Sequence, residues 1–167
     1  MPKNFEVEKY WFEDDGVIPN NALPVLVYRQ ICAVDDKSEW FETTFIANGW
    51  TNNWRDTILP YDHFHSTTHE VLGVGKGDVM LHVGGRFGKQ LFLNAGDAII
   101  LPAGVGHYAL PTKNEYEIVG GYPEGRAWDL LTGEEGERER ALIGIKNVPV
   151  PFTDPIDGEH GTLISSW

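Results

Sequence analysis

The chain has six histidines, at 63, 65, 69, 82, 107 and 160, and three of them fall within seven residues. In Asp62-His63-Phe64-His65 an extended backbone projects alternate side chains to opposite faces, so His63 and His65 share a face and Phe64 takes the other. Two imidazoles at that spacing can reach one metal ion. After Ser66-Thr67-Thr68 the chain resumes as His69-Glu70-Val71-Leu72, and a returning strand brings the Glu70 carboxylate across from the histidine pair. A second string follows, Gly96-x5-Pro102-x-Gly104-x2-His107, in which a Pro-Ala-Gly turn reverses the chain and delivers His107 as a fourth donor. The candidate metal ligands are therefore His63, His65, Glu70 and His107. His69 lies beside Glu70, and alternation points it to the other face. It is expected to support the site or sit at the surface, with replacement of Glu70 as ligand the alternative. His82 and His160 have no partner pattern and read as ordinary solvated or hydrogen-bonded histidines.

These residues need a framework that returns distant segments to one place, and the sequence between them is cut for short strands. Extended runs at 25–33, 57–65, 70–74, 78–83, 89–93, 98–101, 107–110 and 115–122 are separated by glycine-rich or proline-rich joints such as Gly75-Lys76-Gly77-Asp78 and Asn94-Ala95-Gly96-Asp97. Strands at this spacing predict a sandwich or barrel. One helix is predicted over 36–48, where apolar residues recur at three and four, acids open the segment and Gly49 closes it. The opening residues through Pro24 read as an arm ordered by lying against the rest. Residues 134–145 divide evenly between a short helix and a solvated loop. The segment carrying Pro149, Pro151 and Pro155 is expected to wrap the surface without regular structure. By side-chain parity, Tyr61, Leu72 and Val74 are predicted to line the cavity, while Trp54, Arg55, Tyr122 and Trp128 are candidates for its mouth.

The strings His63-x-His65-x4-Glu70-x6-Gly77 and Gly96-x5-Pro102-x-Gly104-x2-His107 resemble the two signature motifs of the cupin superfamily, in order and in separation. Thr57 and Pro111 stand where the family usually has a glycine and an asparagine; both are scaffold positions. The motifs occupy 57–111, about a third of the chain. Asn48-Gly49-Trp50, His65-Ser66-Thr67-Thr68-His69-Glu70, Gly121-Tyr122-Pro123, Trp128-Asp129 and Val148-Pro149-Val150-Pro151 further resemble a bacterial subgroup of single-domain cupins of the YjlB type, from which no activity carries over. The resemblance implies an all-β cupin double-stranded β-helix, a jelly-roll barrel holding the metal inside. Here it would carry one short N-terminal helix and a wrapping C-terminal segment, as one domain over 1–167.

Composition narrows the partners. Thirteen Lys plus Arg against 25 Asp plus Glu give a formal net charge of -12, whose field repels phosphate backbones and anionic lipid headgroups, so nucleic acid and membrane are excluded as expected partners. No apolar run approaches the roughly 18 residues of a membrane span, and the charged and aromatic opening lacks a signal segment, which places the expected location in the cytoplasm. The lone Cys32 sits in an apolar run and reads as a buried, inert thiol. A homodimer is expected, to cover the aromatic opening and tryptophan-rich segments. Three neutral imidazoles and one carboxylate leave a divalent transition metal ion with a single net positive charge and, at six-coordination, two open positions. Mixed nitrogen and oxygen donors suit manganese or iron first, with nickel, cobalt or zinc as alternatives. The expected function is that of a metal-dependent enzyme whose small oxygen-containing substrate chelates the ion, dioxygenase-like or isomerase-like. The alternative is a non-catalytic, metal-dependent small-ligand-binding protein.

Overall fold

The computed structural model describes residues 6–167. Among the described residues nine strands make two antiparallel sheets. They are β1 (Val7–Phe12), β2 (Asn21–Tyr28), β3 (Trp50–Asp56), β4 (Glu70–Lys76), β5 (Asp78–Val83), β6 (Lys89–Asn94), β7 (Ala98–Leu101), β8 (His107–Ala109) and β9 (Glu117–Pro123). The larger sheet runs β1-β2-β7-β4-β9-β3 and the smaller β6-β5-β8. Residues of the opening 1–24 thus form a paired strand, β1 against β2, and not only a draped arm; Met1 to Phe5 of that segment lie outside the described residues.

Burial follows the strand patterns. In β5, Val79, Leu81 and Val83 point inward and alternate with less buried Asp78, Met80 and His82, as expected of a sheet with one face against the core. Those three pack with Leu91 and Leu93 of β6 against Val25, Val27, Leu72, Val74, Ile99 and Ile118 of the larger sheet. The larger sheet is covered on its other face too, so β2 and β7 read as near-continuous apolar runs. That second layer is α1 (Lys37–Ala47) with Phe41 and Phe45, joined by Trp50, Tyr28 and Leu163. Asp36 caps α1 by accepting from the Glu39 N–H at 3.0 Å. The helix sits close because β4 offers Gly73 beneath it: a Cβ there would lie 2.6 Å from the Phe41 ring.

Two expectations are corrected. The strand predicted over 57–65 lies earlier, at β3, while 57–65 contributes only single bridges, His63 to His107 and Phe64 to Leu131. Pro60 interrupts the later segment, and β3, poor in strand formers at Asn52 and Asn53, is extended by pairing with β9. The C-terminal region is also more regular than expected. It contains α2 (Arg138–Asn147) and α3 (Thr162–Ser166). Buried Asp154 organises its end by accepting from the N–H groups of Ile156 at 2.7 Å and Leu163 at 3.1 Å and from the Tyr28 hydroxyl. Cys32 is buried. Among the described residues no helix is long and apolar enough to cross a membrane.

Gly73→Ala should lower stability by about 1–3 kcal/mol, because the added methyl overpacks the Phe41 contact. Urea unfolding of the two proteins measures this, and an unchanged midpoint would contradict the packing described.

Candidate metal centre

The two sheets carry different parts of the site and bring them together at one end. His63 and His107 are paired through their backbones, His63 N to His107 O at 3.3 Å and His107 N to His63 O at 3.0 Å, so their rings lie side by side with centroids 4.2 Å apart. His65 is two residues on, its carbonyl accepting from Gly104 N at 2.8 Å. The motif glycines earn their places here: Gly77, Gly96 and Gly104 all have positive φ, which side-chain-bearing residues rarely adopt. Phe64 does take the opposite face, packing with Ile18, Leu131 and Ala141.

One ligand atom from each of His63, His65 and His107 falls within 4.8 Å of the others, and all three residues are buried. Glu70, at the start of β4, joins them: its Oε1 stands 3.3 Å from His107 Nε2 and 3.5 Å from His65 Nε2. Each imidazole is oriented by a backbone carbonyl at its Nδ1, that of Tyr61 for His63 at 2.9 Å, that of Val105 for His107 at 3.0 Å, and that of Asp129 for His65. A carbonyl only accepts, so Nδ1 bears the hydrogen and Nε2 of the neutral ring is left as a lone pair. Burial, with His107 adding to it, pushes the His63 imidazole down to about 3. Burial opposes the charge on Glu70, but His65 and His107 outweigh it and hold its carboxyl well below the usual range. Against the same penalty Glu70, with Asp129, raises His65. Nitrogen lone pairs and a carboxylate, aimed inward and buried, fit a divalent cation.

His69 shows the contrast. It faces away from Glu70, its Nδ1 accepts from Ala103 N at 2.9 Å, and its Nε2 donates to the Pro149 carbonyl at 3.2 Å. Both nitrogens are spent within the protein. Burial pushes it down to about 4, and the Trp167 ring covers it at 4.7 Å. Its bond to Ala103 pins the turn that leads into His107. His82 donates from its Nε2 to the Gly85 carbonyl of its own loop at 2.6 Å, and stacks on Tyr108.

Beside the four converging residues opens a cavity of about 360 Å³. Leu72, Trp54, Tyr122 and Trp128 line it as expected or suspected from sequence. Three expectations are corrected. Tyr61 is 46% exposed and does not line the cavity; its carbonyl holds His63, and its ring stands edge-on to that imidazole with centroids 5.9 Å apart. Val74 is buried in the core between the sheets. Arg55 pairs with Glu42 at 2.8 Å instead of facing the cavity. Sequence reasoning missed how Tyr122 acts. Its hydroxyl donates to Glu70 Oε2 at 2.8 Å and accepts from Trp54 Nε1 at 2.8 Å. Burial and the Glu70 charge raise its phenol well above the usual range. Asp129 was also missed as a working residue: it accepts from Ser66 N at 2.7 Å while its carbonyl holds His65.

Facing antiparallel sheets, with both histidine strings meeting between them at one end, are the architecture of a cupin. The uncharacterized protein YjlB of Bacillus subtilis (strain 168) is 37% identical over 163 residues, covering 97% of this chain and 97% of that one. The chain belongs to the YjlB family of cupin-fold proteins. No family model matches it. Among solved structures it is similar to an acireductone dioxygenase from Bacillus anthracis with a cadmium ion in its active centre, 15% identical over 70% of this chain and 76% of that one, TM-score 0.39. It is also similar to an oxalate decarboxylase of Bacillus subtilis, 17% identical over 69% of this chain, TM-score 0.41. The chain spans 29% of the length of that decarboxylase.

His69→Phe should cost about 1–3 kcal/mol by stranding the buried Ala103 N–H, whereas His69→Asn, which keeps an acceptor, should recover at least half of that loss. Equal denaturation midpoints for the two variants would remove His69 from this role.

Proposed function

We propose that the protein is a metal-dependent enzyme in which His63, His65, Glu70 and His107 hold one divalent ion, manganese or iron before nickel, cobalt or zinc, and a small oxygen-bearing organic molecule chelates it. The observation that carries this reading is the convergence of three carbonyl-oriented imidazoles and a buried carboxylate on the wall of a cavity. A bound ion would supply a Lewis acid able to polarise a chelating substrate oxygen.

The chain's own residues do the rest. The backbone carbonyls of Tyr61, Val105 and Asp129 keep each Nε2 a donor to the ion. Tyr122 occupies Glu70 Oε2 and so leaves Oε1, the atom near His65 and His107, to face the centre. Four protein donors fall short of six, which leaves room for an oxygen ligand at a centre of mixed nitrogen and oxygen donors. Leu72 and Trp54 keep bulk water from the inner end, where a lower dielectric strengthens any charge interaction.

A non-catalytic binding protein is the second reading, favoured by one observation. Outside the four proposed ligands, the titratable groups lining the cavity among the described residues are Asp56, exposed, and Tyr122, whose proton is held tightly between Glu70 and burial. Neither is placed as a general base. A metabolite recovered unchanged after long aerobic incubation with the metal-loaded protein would favour this reading. Turnover of any member of a panel of hydroxy acids, sugars and diols, with or without dioxygen, would favour the enzyme.

Elemental analysis of protein purified without an affinity-metal column should find one transition metal ion per chain, and His65→Ala should lose it while circular dichroism stays unchanged. An ion retained by that variant, or absent from the wild type, sinks the assignment. Tyr122→Phe frees Glu70 Oε2 and should weaken metal retention about 10–100-fold, measured by competition with a chelator of known affinity.

A further inference from the structure

The walls of the cavity say more about the ligand than the metal-binding residues do. Leu72 and Ile58 form its inner apolar lining, and Trp54 stands beside them. The Trp54 indole lies close against β9 because residue 120 is glycine; a Cβ there would overlap the ring. Its N–H is already spent on Tyr122, and the Tyr122 hydroxyl is spent on Glu70. Both aromatic residues therefore show the cavity carbon and keep their polar atoms for each other.

The same holds at the mouth. Three large apolar side chains that remain exposed, Leu59 at 37%, Trp128 at 47% and Leu130 at 41%, all line this cavity. Trp128 also stands edge-on to His65 with centroids 5.5 Å apart, so one indole runs from the centre toward solvent. Exposed apolar side chains gathered at the rim of a cavity mark a ligand surface more than a solvated one. The uncharged polar residues of the lining are Asn52 and Thr57, both exposed at the outer edge, and Asn53, whose Nδ2 already donates to the Trp50 and Gly120 carbonyls, at 3.1 and 3.0 Å.

Charge completes the argument. Among the described residues no lysine or arginine lines the cavity, and the charged side chain at its rim is an acid, Asp56. A divalent ion on three neutral imidazoles and one carboxylate carries a single net positive charge, enough to balance one negative charge on a ligand. A second carboxylate or a phosphate would enter an apolar cavity with no cation to meet it, against the field of a chain of formal charge -12.

From these walls we infer the substrate class: a small molecule with an apolar, ring-bearing body, one chelating pair of oxygens and at most one negative charge. Dicarboxylates and sugar phosphates are rejected. This rests on the metal-centre reading above and adds to it what the walls select.

The test uses two chelators with one head group. Allomaltol and comenic acid share a hydroxypyranone ring and differ in a methyl or a carboxylate on it. Isothermal titration of the manganese-loaded protein should show allomaltol binding at least about tenfold tighter than comenic acid, since only the latter brings an unpaired charge into the cavity. Trp128→Ala should weaken allomaltol by about fivefold or more, and Leu130→Lys, a change at an exposed rim position, should close most of the gap by improving comenic acid. Comenic acid binding as tightly as allomaltol, or wall variants that shift neither ligand, would overturn the inference. Metal content measured on the same samples separates the failures. A protein that holds manganese but does not discriminate refutes the wall assignment alone; one that holds no ion refutes the centre and, with it, this inference.

Discussion

Three imidazole lone pairs and one carboxylate crowded into a buried space repel each other unless something positive stands among them. That constraint shapes the residues behind the site as much as those in it. The orientation of each ring is set from behind by a carbonyl, and each carbonyl belongs to a different stretch of backbone, at Tyr61, Val105 and Asp129. The centre is therefore a statement about where three loops lie. The loops in turn are held by the backbone pairing of His63 with His107 and by the turn at Gly104.

The larger sheet gives those loops their footing because both of its faces are buried. One face meets the smaller sheet, while α1 and the C-terminal end cover the other. Glu70 begins β4, a strand near the middle of that sheet, with Leu101 of β7 opposite it. A carboxylate there inherits the rigidity of a central strand, and Tyr122, from the neighbouring β9, adds a hydrogen bond from the side. His69, one residue earlier, uses the opposite face of the chain to fasten the turn before His107.

The histidine strings were legible in the sequence because alternation and a tight turn are local properties. His63, His65 and His107 meet where spacing put them, with Glu70 alongside. Short strands between glycine joints were legible for the same reason, from β4 through β9. What could not be read locally was register. β3 contains residues that avoid strands, and it is extended by its pairing with β9, where Trp54 lies opposite Gly120. Tyr61 has the right parity for the cavity, yet its segment forms no continuous strand, so parity does not transmit along it. Tyr122 and Asp129 act through partners 52 and 63 residues away, at Glu70 and Ser66, and no periodicity reports a hydrogen bond at that separation. α2 was undecidable from sequence because its interior glycine argues against a helix while its contact through Ala141 with Phe64 argues for one.

The bridge between Phe64 and Leu131 has a mechanical meaning. It straps the segment bearing two of the imidazoles to the one bearing Trp128, Asp129 and Leu130, with bonds of 2.9 and 3.0 Å on either side. The doorway and the innermost residues are thus parts of a single lever. Trp128 at the entrance and the Asp129 carbonyl that orients His65 are consecutive residues behind that one anchor, so the position of the doorway and the tilt of an inner imidazole are set together.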